Sequence, residues 1–443
     1  MSDSATPGLQ AIIELPRYGR GTGLHRVQAL AGEVLASSWS REVSPIHVVG
    51  TNGKGSVSQL IAQILAELRP SQRVGMYTSP HVLSFGERMR VQGQPIGDSM
   101  LERYAEGMVR DVEAYLTAHP GDIVAAFEAI TAMALRFFAE QKTEVLVLEA
   151  GIGGRYDSTK VLQGRLAALT SLDLEHTQLL GNTLAEIGCD KLDILAPGGT
   201  AVLGPISQVA LRAMETHAQA RQLVLHPFEN YVHELSLELN PNGIRFSAQV
   251  GGVSFQNIQT SFLAPYQVEN ALVALRTLQV FAQQSNWQVS NATWQESMAR
   301  VLSNFQVAGR MQVLNHEPLV LIDSAHTPAS FQLLKESMSQ LSPGPITLVL
   351  GMSEDKALKE QVALLTSIAQ RVVLVQPRHR GASVARMESL MPIGAKAFTA
   401  TSVANGLRMA LGMAQEQNGA VLVAGGLFLA AEALESWPQV KQG

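Results

Sequence analysis

Short apolar runs alternate along the chain with longer stretches in which apolar positions recur every three or four residues. The first pattern suits buried strands and the second one-sided helices, so the alternation predicts βαβ units around a mostly parallel sheet. Residues 46–49 read as a buried strand and 56–68 as the helix behind it. Residues 127–140 read as a helix, with Ile130, Ala134 and Phe137 on one face, and 144–149 as the next strand. Strands at 166–170 and 200–203 and a helix at 207–219 continue the series. Residues 231–256 alternate polar and apolar around an Asn-Pro-Asn-Gly turn at 240–243, which predicts an antiparallel hairpin appended to the parallel core.

The rhythm then changes. A strong helix at 269–283, a polar stretch at 284–293 and a short helix to about Ser303 lead to a new series of strands at 319–322, 346–350, 372–375 and 420–424. The expected boundary lies near Asn304, dividing the chain into 1–304 and 305–443. A length of 443 residues agrees with two domains, since one core rarely grows so large.

Composition narrows the class. Lys and Arg number 33 against 38 Asp and Glu, so the formal charge is 33 − 38 = −5. That argues against a protein that coats nucleic acid or anionic membrane. Cys189 is the single cysteine, which excludes an intrachain disulfide or a cysteine metal cluster and suits a reducing cytoplasm. The best apolar stretch, 420–431, is short and broken by Gly425-Gly426, so no membrane span is expected. The first eight residues are polar, and no signal peptide is expected. A cytoplasmic α/β enzyme is the expectation.

The strongest chemical signal follows the first strand: Gly50-Thr51-Asn52-Gly53-Lys54-Gly55-Ser56, then a helix. Glycines allow a tight turn whose backbone N–H groups face phosphate oxygens, and the helix N-terminus favours the anion. Lys54 would neutralise phosphates and Ser56 could ligate Mg²⁺. The common nucleotide loop has Ser or Thr directly after Lys and an earlier Gly; here Gly55 intervenes and Val48 holds the earlier place. Ser79, in Tyr77-Thr78-Ser79-Pro80-His81, falls at the same end of the sheet, where it is either a phosphate-site residue or part of an ordinary turn. Glu87-Arg88-Met89-Arg90 reads equally well as a solvated face. Glu149 closes a buried strand before Gly151-Ile152-Gly153-Gly154, and a hard oxygen ligand for Mg²⁺ on ATP would explain it. His176 and Lys191 are not singled out by residue type and spacing alone.

In order and wording these blocks resemble the folylpolyglutamate synthase/dihydrofolate synthase branch of the Mur ligases over nearly the whole chain. The resemblance rests on 48–57, 77–81 with Glu87-Arg88, 127–132, 149–157, Glu175-His176-Thr177 with Leu180-Gly181-Asn182-Thr183, and Gln267 with Asn270-Ala271. It continues through Gly309-Arg310, Asp323-Ser324-Ala325-His326, Gly351-Met352 with Asp355-Lys356, and Gly425-Gly426-Leu427. It implies a P-loop ATPase domain with a mostly parallel sheet, carrying the pterin-substrate region, followed by a smaller Rossmann-like α/β ligase domain. By resemblance, Thr51, Asn52, Gly53, Lys54, Gly55 and Ser56 hold ATP phosphates, and Ser56, Ser79 and Glu149 serve a first Mg²⁺. His176 and a carbamylated Lys191 serve a second. Gln267, Asn270, Arg310 and Asp323 contact the nucleotide, and His326 with Asp323 completes ATP and amino-acid binding.

The implied reaction is ATP-driven amide formation. A dihydropteroate or reduced-folate carboxylate takes the γ-phosphate, and the amine of L-glutamate attacks the resulting acyl phosphate. The resemblance implies a monomer working on small molecules, without nucleic acid or membrane. The chain departs from the family pattern at Lys160, in place of Asn, and at Thr327, in a His-Asn-Pro motif. Around the modified lysine it reads Asp190-Lys191-Leu192-Asp193-Ile194 where the family reads Glu-Lys-Ala-Gly-Ile. The added bulk and negative charge weigh against carbamylation. A same-fold ligase joining a different acid and amine is the main alternative. A nucleotide-binding regulator that has lost ligation is opposed by the intact Lys54, Ser79, Glu149, His176 and Lys191.

Overall fold

The structure, a computed structural model, describes residues 6–240, 243–341, 344–354 and 358–441. Among these residues the largest sheet has eight strands: β1 (Ser44–Val49), β2 (Val74–Tyr77), β3 (Met89–Val91), β4 (Gln94–Pro95), β5 (Val145–Glu149), β6 (Gly164–Leu169), β7 (Leu195–Leu203) and β8 (Val224–His226). Their order is β4-β3-β2-β5-β1-β6-β7-β8, parallel from β2 to β8 and antiparallel in the pairs β2–β3 and β3–β4. Successive side chains on a strand face opposite ways, so a strand buried on both faces reads as a continuous apolar run. Ile46, Val48, Val145 and Val147 join one core with the helices Lys54–Leu68 and Pro265–Gln284, and Tyr77, Leu146 and Leu148 join another with Asp98–Ala118 and Ala126–Glu140.

A second sheet, β9 (Val232–Asn240), β10 (Gly243–Val250) and β11 (Val253–Gln259), is antiparallel in the order β11-β10-β9. The hairpin expected at 231–256 is therefore a separate three-stranded sheet. It lays Ile244, Phe246, Val250 and Phe255 on the helix Pro265–Gln284 and shares that helix's core rather than extending the parallel sheet. Of the expected turn, Pro241 and Asn242 lie outside the described residues.

The third sheet draws all its strands from later in the chain: β12 (Gln312–His316), β13 (Leu319–Asp323), β14 (Ile346–Leu350), β15 (Arg371–Leu374), β16 (Ala397–Thr399) and β17 (Ala420–Ala424). Its order is β12-β13-β17-β14-β15-β16, with only β12 antiparallel, and apolar clusters cover both faces. The expected two-domain α/β architecture is present. The expected strands and helices recur with ends shifted by a few residues. The short strands β3, β4, β8, β12 and β16, all but β3 at sheet edges, and the helix Asp98–Ala118 are additional. Edge strands are half-solvated and mix polar with apolar residues, which blurs their pattern.

One buried charge fastens the N-terminal segment to the helix Ala126–Glu140 and the loop before it. Arg26, with no exposed surface, donates Nε (2.7 Å) and Nη2 (2.8 Å) to Glu128, and Nη1 (3.0 Å) to Asp122. Replacing one partner of such a pair leaves the other charged and dry. Arg26→Ala is expected to lower unfolding free energy by about 3–5 kcal/mol, read from urea denaturation. A loss under about 1 kcal/mol, the size of a surface pair, would contradict this account.

Candidate functional site

The carboxyl ends of β1, β2, β5 and β6 open onto one edge of the large sheet, where ligands of such sheets collect. Residues Gly50–Gly53 make the turn from β1 into the helix Lys54–Leu68, with Gly50 at φ 143° and Gly53 at φ 85°. A Cβ on Gly53 would stand 2.6 Å from Asn270 Oδ1, so the loop passes where no side chain fits. The loop is braced from the end of β6. Thr51 N–H donates to the Ser171 carbonyl (2.9 Å), Asn52 N–H to Ser171 Oγ (3.0 Å), and Thr170 Oγ1 to the Asn52 carbonyl (2.6 Å). Asp173 N–H donates to Thr51 Oγ1 (3.1 Å). The Thr51 hydroxyl and the Asn52 backbone thus shape the loop. Lys54, Gly55 and Ser56 lie in the first helical turn, whose N–H groups have no intrahelical acceptor.

Two ammonium groups meet on this loop. Lys54 Nζ donates to the carbonyls of Gly50 and Thr51, each at 3.0 Å. Lys191 Nζ donates to the same Gly50 carbonyl (2.9 Å) and to Glu175 Oε1 (3.1 Å). Lys191 is only 1% exposed; burial first, and the Lys54 charge next, draw its pKa below the ordinary lysine range, while Glu175 opposes them. His176 heads the short helical turn Thr177–Leu180 in left-handed backbone (φ 46°). Its pKa is lowered by desolvation, against Glu175 and with the Lys191 and Lys54 charges.

Glu149 closes β5, buried, with its carboxylate over the first turn of the loop helix: a Cβ on Gly55 would lie 3.6 Å from its Oε2. It accepts Ser79 N–H (2.9 Å). Burial pushes its pKa up to about 7 against the Lys54 charge, the Ser79 hydrogen bond, and the charges of Arg310 and Arg88. Arg88 belongs to the segment that sequence read equally well as a solvated face. It turns inward, and its Nε donates to His81 Nδ1 (2.9 Å). His81 is held neutral, its pKa lowered to about 3 by burial and then by Arg88. Asp157 accepts the N–H groups of Gly151 (2.7 Å) and Ile152 (3.1 Å), fixing the glycine turn after Glu149. Arg88, His81, Asp157 and Glu175 are the residues that sequence reasoning gave no role. The apolar Met89 between Arg88 and Arg90 was the available signal that the segment is not wholly solvated, and Met89 is buried.

The remaining predicted residues line the junction with the later domain. Asn270 touches Gly53. Gln267 uses Oε1 for the N–H groups of Leu263 (3.1 Å) and Ala264 (3.2 Å), and Nε2 for the Arg310 carbonyl (3.4 Å). Asp323, buried and raised in pKa by that burial against the Arg310 charge, accepts Met311 and Ala325 N–H, each at 2.8 Å. His326 is exposed, with Nδ1 3.2 Å from the Ser324 carbonyl, and the Thr327 hydroxyl caps the helix Pro328–Leu341 through Ser330 N–H (3.2 Å). Gln267 and Asp323 therefore brace backbone at the junction rather than joining the Gly50 cluster. Leu192 is packed in an apolar cluster. Asp193 bonds to Arg155, His217 and Arg221, so its charge is not turned onto Lys191 as the sequence suggested. Asp355 and Lys356 lie outside the described residues.

Among the described residues no group of three or more His, Cys, Asp or Glu forms a self-contained metal site. A divalent ion bound through one or two carboxylates and a ligand's phosphates needs no such cage. Glu149 fits that case: a dry carboxylate with one backbone hydrogen bond, facing a helix N-terminus.

Comparison with known proteins gives the same picture. The family described as "Mur ligase, glutamate ligase domain" matches residues 309–427. Folylpolyglutamate synthase of Lacticaseibacillus casei is 30% identical over 331 residues, covering 74% of this chain and 76% of that protein. Dihydrofolate synthase/folylpolyglutamate synthase of Bacillus subtilis is 29% identical over 362 residues, 80% of this chain and 81% of that one. Among solved structures, Mycobacterium tuberculosis folylpolyglutamate synthase complexed with ADP and AMPPCP shares the fold at TM-score 0.82 and 23% identity, over 97% of both chains. A folylpolyglutamate synthase–AMPPCP–folate complex matches at TM-score 0.80 and 26% identity, over 97% of this chain and 98% of that one.

The raised Glu149 pKa fixes a sign. The folded chain keeps this proton between the ordinary value of 4.5 and about 7, where the unfolded chain has released it. Stability therefore falls as pH rises through that window and stays low above it. In ligand-free protein, Glu149→Gln is expected to gain about 1–3 kcal/mol at about pH 8 and much less at about pH 5, measured by thermal denaturation. An equal effect at both pH values would contradict the assignment.

Proposed function

The chain belongs to the folylpolyglutamate synthase/dihydrofolate synthase family, and from that premise we propose that it is an ATP-dependent ligase joining L-glutamate to a pteroate or folate carboxylate through an acyl phosphate. The observation that carries the reading is the meeting of Lys54 and Lys191 on the Gly50 carbonyl, with buried Glu149 across the same helix N-terminus. Such a site suits phosphoryl transfer, which needs in-line placement and charge neutralisation more than covalent help.

In this reading the N–H groups at the start of the helix Lys54–Leu68 receive ATP phosphates. Lys54 moves from the loop carbonyls to the phosphate oxygens. Ser56, Ser79 and Glu149 would hold one Mg²⁺, and His176 with Lys191 a second; when bound, Mg²⁺ would offset the charge that builds on the transferring phosphoryl group. Arg310, whose charge reaches Glu149, and Asn270 against Gly53 would meet the nucleotide. Gln267 and Asp323 would set the backbone around it. His326, exposed at the carboxyl end of the third sheet, faces the amino-acid step. There the glutamate amine attacks the acyl carbon and phosphate leaves. Two domains meeting at this edge, with the division placed at 304/305, would keep water from the acyl phosphate. A single free cysteine suits the cytoplasm.

Carbamylation of Lys191 requires its neutral amine, and burial, which lowers the Lys191 pKa, favours that form. The Asp193 charge is absorbed by Arg155, Arg221 and His217, which leaves Glu175 as the carboxylate hydrogen-bonded to Lys191. Lys191→Ala activity is expected to recover in part with added short carboxylates. A native protein without CO₂-derived mass on Lys191, under conditions that preserve carbamates, would remove this modification.

The deciding assay is phosphate release with ATP, Mg²⁺ and L-glutamate, offering dihydropteroate and tetrahydrofolate in turn. Turnover with either is expected, and turnover with neither would favour a same-fold ligase for another acid and amine. Lys54→Ala is expected to lower turnover by about 10²–10³-fold or more, the scale of removing one preorganised donor. Undiminished turnover would sink the phosphate-site assignment.

A further inference from the structure

Lys160 and Asp193, two of the positions where the chain departs from the family wording, fall in a single charge cluster. Asp193 is 8% exposed. Its Oδ2 lies 2.7 Å from Arg155 Nε, and its Oδ1 lies 2.6 Å from Arg221 Nη1 and 2.7 Å from His217 Nε2. Arg221 continues to the carbonyls of Leu192 (3.3 Å) and Leu195 (2.8 Å), and Lys160 Nζ donates to the Arg155 carbonyl (3.1 Å). One carboxylate therefore ties together three segments: the glycine turn after β5, the end of the helix Leu184–Leu192, and the end of the helix Gln208–Ala220.

Beneath this clamp the glycine turn rests on the lysine's own backbone. Gly154 N–H donates to Asp190 Oδ2 (3.0 Å), and a Cβ on Gly154 would stand 2.5 Å from the Lys191 carbonyl oxygen. The same turn begins two residues after Glu149. Glu149 and Lys191 thus approach the phosphate loop from two sides, and the clamp is a second link, beside the Gly154–Asp190 hydrogen bond, between the segments that carry them. An exposed ion pair contributes little, but a buried carboxylate with three donors holds its partners to one geometry.

We infer that Asp193 is a positioning residue for Lys191: through Arg155 and Arg221 it holds the helix end bearing Lys191 against the turn that follows Glu149, and so sets where the lysine amine meets the Gly50 carbonyl. The inference rests on the proposed role of Lys191 in phosphoryl transfer. A displacement of about 1 Å at such a group costs on the order of 10²-fold in rate, so loss of the clamp is read in turnover more than in nucleotide affinity.

The test is a double-mutant cycle in the full chain with Asp193→Asn, Lys191→Ala and the pair, following phosphate release. Asp193→Asn is expected to lower kcat by about 10-fold or more with the KM for ATP within about twofold. In the Lys191→Ala background it is expected to add nothing, because both changes act through one group. Asp193→Glu should restore part of the loss. Additive losses, with Lys191→Ala itself impaired, would overturn the inference and leave the role of Lys191 standing. Undiminished turnover in Lys191→Ala would overturn both. If Lys191→Ala has no measurable turnover, the rate of Lys191 acetylation by acetic anhydride, resolved by mass spectrometry, decides. It is expected to rise several-fold in folded Asp193→Asn with the other lysines unchanged, and an unchanged rate overturns the inference.

Discussion

Two ammonium groups donate to one peptide oxygen, the carbonyl of Gly50, and the rest of the site is arranged around that arrangement. Both nitrogens are within 3.0 Å of the oxygen, so they lie within about 6 Å of each other, where like charges repel by about 3 kcal/mol at an effective dielectric near 20. The carbonyls of Gly50 and Thr51, together with Glu175, offset part of this. Glu149 stands close enough to be influenced by Lys54 but is not hydrogen-bonded to it. Two cations thus sit on loop carbonyls beside a buried carboxylate that accepts one backbone hydrogen bond, a charge pattern that a polyanion with a divalent cation would complement.

The loop's backbone makes this possible. Gly50 and Gly53 take conformations that side chains resist, and neighbours occupy the space a Cβ would need. The bracing from Thr170, Ser171 and Asp173 comes from the strand next to β1 in the sheet, over a hundred residues later in the chain. The loop is rigid because two sheet neighbours share one edge, and the parallel topology that puts their carboxyl ends together is what the site is built on.

That dependence explains what could be seen in the residues alone. The buried strands were legible because apolar runs bounded by glycine have few other solutions, and the phosphate loop because glycines, a lysine and a helix stood in order. Glu149 was legible because a carboxylate ending an apolar run is costly without a partner. Arg88 and Glu175 were not, since each acquires its meaning from groups brought near by sheet order: Glu149 for the first, Lys191 for the second. Asp193 looked like an intruding charge beside Lys191 because its partners Arg155 and Arg221 lie 38 and 28 residues away in sequence. The three-stranded sheet was legible only as a hairpin appended to the parallel core, because alternation gives a strand's faces but not its neighbours.

Leu263 and Ala264 belong to the apolar cluster of the later domain, yet they lead directly into the helix Pro265–Gln284, which packs on the large sheet. Gln267 bonds both to that lead-in and to the Arg310 carbonyl, and Asn270, one turn further along, touches Gly53. The start of this helix therefore joins the later domain's core, at Leu263 and Ala264, to the phosphate loop, at Gly53, within residues 263–270.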